Sequence, residues 1–154
     1  MKATDLLKSE HDIVEVLFSQ VEATDANKHE AFFVKIKDAL EPHAHIEETI
    51  FYPKMIAEGD EDLRKIVEEG IEEHRQMKMF LKEIASLTKD ADKFEAKLKV
   101  LMEDTRHHVK EEEGEMFPMV EKQFSSEVLD ELGAAMEAEE TKFKKAYAAS
   151  SSRS

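Results

Sequence analysis

HAHIEETIFYP, running from His43 to Pro53, sets a problem of burial. Counted at helical spacing, one face continues from Ile36 and Leu40 through His43 and Glu47 to Ile50. Apolar residues three and four apart mark the side of a helix turned to a core. A carboxylate on that side is costly unless something positive meets it. No Lys or Arg shares the face.

The same pattern returns three times along the chain. Leu7, His11, Val14, Phe18 and Val21 form one stripe, and Leu63, Val67, Ile71, His74, Met77, Leu81 and Ile84 another. The last is Phe94, Leu98, Leu101, Thr105, His108, Glu112 and Met116. Each stripe carries one histidine, and two add a glutamate one turn on: His43 with Glu47, and His108 with Glu112. That spacing puts both side chains on one face, about 40° apart. The other histidines fall elsewhere. His45 is about 200° from His43 and should face outward, His107 is about 100° from His108, and His29 lies at a helix start. A lone core histidine is ordinarily just a hydrogen-bonded residue, and KEEEGE is ordinarily a solvated face. Agreement between four stripes changes the reading: four imidazoles and two carboxylates without a cationic side chain form a metal-binding set.

The chain also repeats internally. SEHDIVEVLF around His11 is similar to EEHRQMKMFL around His74, and HAHIEETIFYP aligns with HHVKEEEGEMFP when His43 is matched to His108. This register selects Glu47 over Glu48, and Glu112 over Glu111 and Glu113. Pro53 and Pro118 then both stand six residues past the glutamate. Two helix pairs around a pseudo-two-fold site suit two metal ions.

Turn and cap signals divide the chain into helices near 4–24, 28–57, 61–87, 92–122 and 126–148. Asn27 with Glu30 and Asp92 with Glu95 fit capping boxes, Gly59 reads as a stop and Asp60 as a start, and Ser125 or Ser126 caps the last helix. Pro42 predicts a kink inside the second helix, and Pro53 and Pro118 a bend or an end. The fold class is all-α: an up-down-up-down four-helix bundle over residues 1–124, an accessory C-terminal helix over 125–149 and a disordered polar tail over 150–154. The fifth helix, with its weaker stripe of Leu129, Leu132, Met136, Phe143 and Tyr147, packs outside the bundle or makes a homo-oligomer contact.

Composition agrees. The 154 residues are 38% charged and contain only four Gly and three Pro, which suits helices rather than a loop-rich β fold. A net charge of -14 disfavours nucleic acid and anionic membrane surfaces as partners. There is no cysteine, so neither disulfides nor thiolate sites arise. No signal peptide and no apolar run of roughly 18 residues is present, and the expected location is cytoplasmic.

With His11, His43, Glu47, His74, His108 and Glu112 in this order, the chain resembles a hemerythrin-like domain of the HHE cation-binding family over roughly residues 5–120. The flanks EETIFYP and EEEGEMFP are also similar to that family's. The resemblance implies two iron ions as an oxo- or hydroxo-bridged non-haem di-iron centre, bridged by Glu47 and Glu112 with the histidines bound terminally. Leu40, Ile50, Met77, Leu81 and Leu101 would make its dry pocket. It further implies a small diatomic ligand such as dioxygen or nitric oxide, bound or sensed, with iron itself as another possible signal. The alternatives are a di-iron enzyme reducing peroxide or oxygen, an iron storage or repair protein, and a metal-free interaction bundle. Oxygen-carrying members have a fifth histidine one turn after the third; here that position is Lys78. The expected ligand set is therefore more symmetric, with more open coordination. Repair-type members commonly carry a cysteine-containing segment, which this chain lacks. A ferritin-like carboxylate site is disfavoured, because that fold uses Glu-x-x-His and here His precedes Glu at spacing four.

Overall fold

A computed structural model of the chain describes residues 1–87 and 90–152. Its helices are α1 (Ala3–Glu22), α2 (His29–Ile46), α3 (Tyr52–Glu58), α4 (Glu61–Ala85), α5 (Ala91–Glu111), α6 (Phe117–Gln123) and α7 (Ser126–Ser152). Five-residue π turns, Glu47–Phe51 and Glu112–Met116, join α2 to α3 and α5 to α6 without a break. The four long helical courses of the bundle are thus α1, α2–α3, α4 and α5–α6, and no strand occurs among the described residues. Among the described residues, no helix is long and apolar enough to cross a membrane.

The caps follow local chemistry. The Asp60 carboxylate accepts from the Leu63 N–H and starts α4, and the Ser125 hydroxyl accepts from the Val128 N–H at α7. The two capping boxes do not form. A 3-10 turn, Ala26–Lys28, leads into α2 with no side-chain cap. At α5 the cap is Asp90, which accepts from the Lys93 N–H, while Glu95 is drawn away to His29. Pro42 is buried inside α2, which continues through it. Pro53 and Pro118 do not end their helices either. Each follows a π turn, in which the N–H of Tyr52 or Phe117 reaches five residues back to the carbonyl of Glu47 or Glu112. Proline cannot supply the normal α-helical donor, and the wider turn accommodates that loss while inserting one extra residue.

Two apolar clusters fill the bundle. One contains Phe18, Phe33, Ile36, Leu40, Leu81, Leu98 and Leu101; the other contains Leu7, Phe51, Tyr52, Met55, Leu63, Phe117 and Val120. The histidines and glutamates of the stripes lie between them. Ile50, expected on the inner face, is only half-buried, because the π turn rotates Phe51 and Tyr52 inward instead.

Helix α7 packs along α1 and α2. Leu129 and Met136 are buried in the second cluster. At Gly133 it lies against the start of the chain, where an added Cβ would meet the Met1 carbonyl oxygen at 2.0 Å. It continues past 149 as far as Ser152, beyond where the polar tail was expected to begin; Arg153 and Ser154 lie outside the described residues.

Candidate metal centre

All six stripe residues meet at one place. Glu47 and Glu112 are fully buried, and His11, His43, His74 and His108 are 1–6% exposed. Their donor atoms form two overlapping groups: His11, His43, Glu47 and Glu112, and His74, His108, Glu47 and Glu112. Each glutamate reaches across both. Glu47 Oε1 is 2.9 Å from His43 Nε2 and 3.3 Å from His74 Nε2. Glu112 is 3.1 Å from His11 Nε2 through Oε1 and 3.4 Å from His108 Nε2 through Oε2.

The reason these side chains converge is local. Both glutamates open a π turn, so the residue that begins the register shift is also the one whose carboxylate enters the site. Turns of this kind recur at functional sites.

Every site histidine is held from behind by a second carboxylate. His11 Nδ1 bonds Glu113 at 2.7 Å, His43 Nδ1 bonds Glu10 at 2.8 Å, His74 Nδ1 bonds Glu48 at 2.9 Å and His108 Nδ1 bonds Glu73 at 2.6 Å. A carboxylate only accepts, so each Nδ1 must donate its N–H, and each Nε2 is turned toward the site. This is the orienting arrangement of metal-bound histidines. The pairing also obeys the internal repeat: Glu10 precedes His11 as Glu73 precedes His74, and Glu48 follows Glu47 as Glu113 follows Glu112.

The electrostatics demand a positive charge. Burial alone would lower the His43 pKa, but Glu47 and Glu10 raise it to about 10. His74 and His108 are raised in the same way against their burial, by Glu47 and Glu48 at the first and by Glu112 and Glu73 at the second. Burial alone would raise the Glu112 carboxyl, yet His108, Glu47 and His11 hold it well below the usual carboxylate range. Despite the short distances, His11 Nε2, both Glu47 oxygens and Glu112 Oε1 have no hydrogen-bond partner. Buried polar atoms left so are rare, and here they aim at common points. Imidazole nitrogen and carboxylate oxygen are together donors for first-row divalent metals, so the residues present fit a cation site.

Tyr52 also enters the site, from the first residue after the π turn. It is fully buried, and its hydroxyl donates to Glu112 Oε2 at 2.6 Å. The Tyr52 hydroxyl oxygen also lies 3.3 Å from Nε2 of both His74 and His108. Burial, with Glu112 and Glu47 beside it, pushes the phenol pKa well above its ordinary value of 10. Its counterpart in the other half is Phe117, whose ring stacks on His11 with centroids 6.0 Å apart. The expected symmetry of the site is therefore broken by one side chain.

The remaining histidines stand apart. His107 is exposed and pairs with Glu111 at 2.8 Å. His45 turns away from the site but toward α7 rather than solvent, bonding Glu139 and stacking on Phe143. His29, expected outside, is buried against α5. Lys78 does not enter the site: half exposed, it pairs with Glu48, the carboxylate behind His74. A cleft of about 80 Å3 between α4 and α5 is lined by His74, His108, Met77, Thr105, Glu73 and His107, among others.

Sequence reasoning missed Tyr52 and the four outer glutamates. A signal for the latter was available, since a Glu precedes each single histidine and follows each selected glutamate. Nothing in the sequence pattern distinguished Tyr52 from an ordinary core aromatic.

The fold and the site together define a helical-bundle protein with a buried histidine–carboxylate cation site. The chain belongs to the hemerythrin HHE cation-binding domain family, whose sequence profile matches residues 2–120. It is also similar to a protein named DNA nickase from Nostoc sp. (strain PCC 7120 / SAG 25.82 / UTEX 2576), 27% identical over 146 residues. That match covers 92% of this chain but only 40% of the relative. No solved structure matches the chain.

Proposed function

We propose that His11, His43, Glu47, His74, His108 and Glu112 hold two iron ions and that the protein binds or senses a small diatomic molecule, dioxygen or nitric oxide. The observation that carries this reading is the reach of Glu47 and Glu112 across both histidine pairs, with three of their oxygens lacking hydrogen-bond partners. Bound there, iron would supply redox chemistry and open coordination positions for such a ligand. The protein's own part is to orient and to exclude. Glu10, Glu48, Glu73 and Glu113 fix the tautomer of each imidazole, the two glutamates offset cationic charge, and the apolar clusters on either side keep bulk water out. The cleft at His74 and His108 has room for a diatomic molecule.

The second reading is a di-iron enzyme reducing peroxide or oxygen. The cleft favours it to this extent: Glu73 and His107, both capable of holding protons, line its mouth beside His74 and His108. The nickase name belongs to a relative of much greater length; the net charge of -14 opposes a phosphate backbone as the partner of this chain.

Anaerobic iron loading followed by metal analysis tests the reading. About two irons per chain are expected, by the two-metal geometry; a stoichiometry near zero or one would sink it. Absorption spectra of the loaded protein with and without dioxygen or nitric oxide test the ligand. Peroxide consumption by the loaded form, absent from the iron-depleted form, would favour the enzyme instead.

A further inference from the structure

The Tyr52 hydroxyl has one proton and three close neighbours. Glu112 Oε2 at 2.6 Å takes that proton. The two remaining neighbours are His74 Nε2 and His108 Nε2 at 3.3 Å, and Nδ1 of each is already committed to Glu48 or Glu73. Those nitrogens also lie 3.2 Å from each other. Two imidazole nitrogens and a phenolic oxygen thus converge within 3.3 Å of one another, as donor atoms around one cation do.

The surroundings are shaped to put the oxygen there. The π turn rotates Tyr52 into the site, one residue later than a regular helix would. Gly70 on α4 leaves the space: a Cβ at that position would stand 3.2 Å from the Tyr52 hydroxyl oxygen. Phe117, at the matching position after the other π turn, offers only ring carbon beside His11.

We propose that the Tyr52 oxygen is a further ligand of the metal held by His74 and His108, so that the two metal positions are chemically unequal. The inference rests on the metal-centre reading above. On binding, the tyrosine O–H bond breaks, an oxygen–metal bond forms and the proton leaves to solvent, as metal binding to protonated donors requires.

The test uses the 154-residue chain, loaded with ferrous iron anaerobically and then oxidised in air. The expected result is a visible phenolate-to-ferric charge-transfer band whose resonance Raman spectrum shows tyrosine ring modes. Tyr52→Phe should lose the band while keeping its iron, and Tyr147→Phe should keep it. Should Tyr52→Phe fail to fold, Tyr147→Phe grown on ring-deuterated tyrosine answers the question, because Tyr52 is then the one tyrosine left of two and the ring modes must shift. Iron uptake without tyrosine modes, or a band that survives Tyr52→Phe, would overturn the Tyr52 assignment alone. Failure of the parent protein to take up iron would overturn both it and the metal-centre reading.

Discussion

A histidine in this chain is defined by what stands behind it. His108 and His107 are adjacent in sequence, yet one is buried with Nε2 on Glu112 and Nδ1 on Glu73, and the other is 66% exposed at its side chain and touches Glu111. His108→Ala should therefore lose much of the bound iron, whereas His107→Ala should keep it, as read by metal analysis after gel filtration. If the two variants lose iron equally, the assignment of inner and outer histidines is wrong. The outer carboxylates give a finer test. Glu48 links His74 to Lys78, so Glu48→Gln leaves the imidazole in place but weakens its orientation and basicity. Its metal affinity should fall roughly 10- to 100-fold, measured by competition with a chelator, with little change in the apparent melting temperature of the iron-depleted chain.

At the scale of elements, the bundle is closed at the end far from the π turns by a histidine that has no part in the site. His29 starts α2 and reaches α5, where its Nδ1 lies 2.8 and 2.9 Å from the two oxygens of Glu95, while Nε2 lies 3.0 Å from the Thr24 carbonyl. Both partners accept only, so both ring nitrogens must donate and the ring is cationic. Burial works against that charge, but Glu95 and the Thr24 carbonyl outweigh it and the pKa is raised. A raised folded-state pKa means the contribution is fully present below the unfolded value of about 6.5 and is lost as pH rises through the folded value. The melting temperature of the parent protein should thus fall from pH 6 to pH 9 more than that of His29→Gln. Parallel curves for the two would show that the contact between α2 and α5 does not depend on protonation.

For the whole molecule, the site places two buried carboxylates between two apolar clusters, in the middle of the bundle rather than at its edge. A cation bound there by the folded chain alone adds stability through linkage, about 2.7 kcal/mol at a free concentration 100 times Kd. For a chain of this size that corresponds to roughly 5–10 °C in Tm. Calorimetry of iron-loaded and chelator-treated protein should show at least this difference. Equal melting temperatures would mean that the site contributes nothing to the fold.

The sequence by itself determined the helices and the inward set of six. Periodicity of 3.6 residues is a local property, so which residues share a face, and that His43 and Glu47 or His108 and Glu112 stand one above the other, can be read without the fold. The internal repeat likewise resolved Glu47 from Glu48. Tertiary structure alone decided the rest. The π turns change the helical register by one residue, which exchanged Ile50 for Phe51 and Tyr52 on the inner face. Capping at Asp90 rather than Asp92, and the burial of His29, depend on where α2 and α5 meet. Whether Glu10, Glu48, Glu73 and Glu113 are solvated surface or stand behind a histidine depends on the neighbouring helix, since each such bond joins two different helical courses. The inequality of the two halves has the same origin: a tyrosine and a phenylalanine at matching positions look alike as core residues, and only the packed interior places one hydroxyl among two imidazoles and a carboxylate.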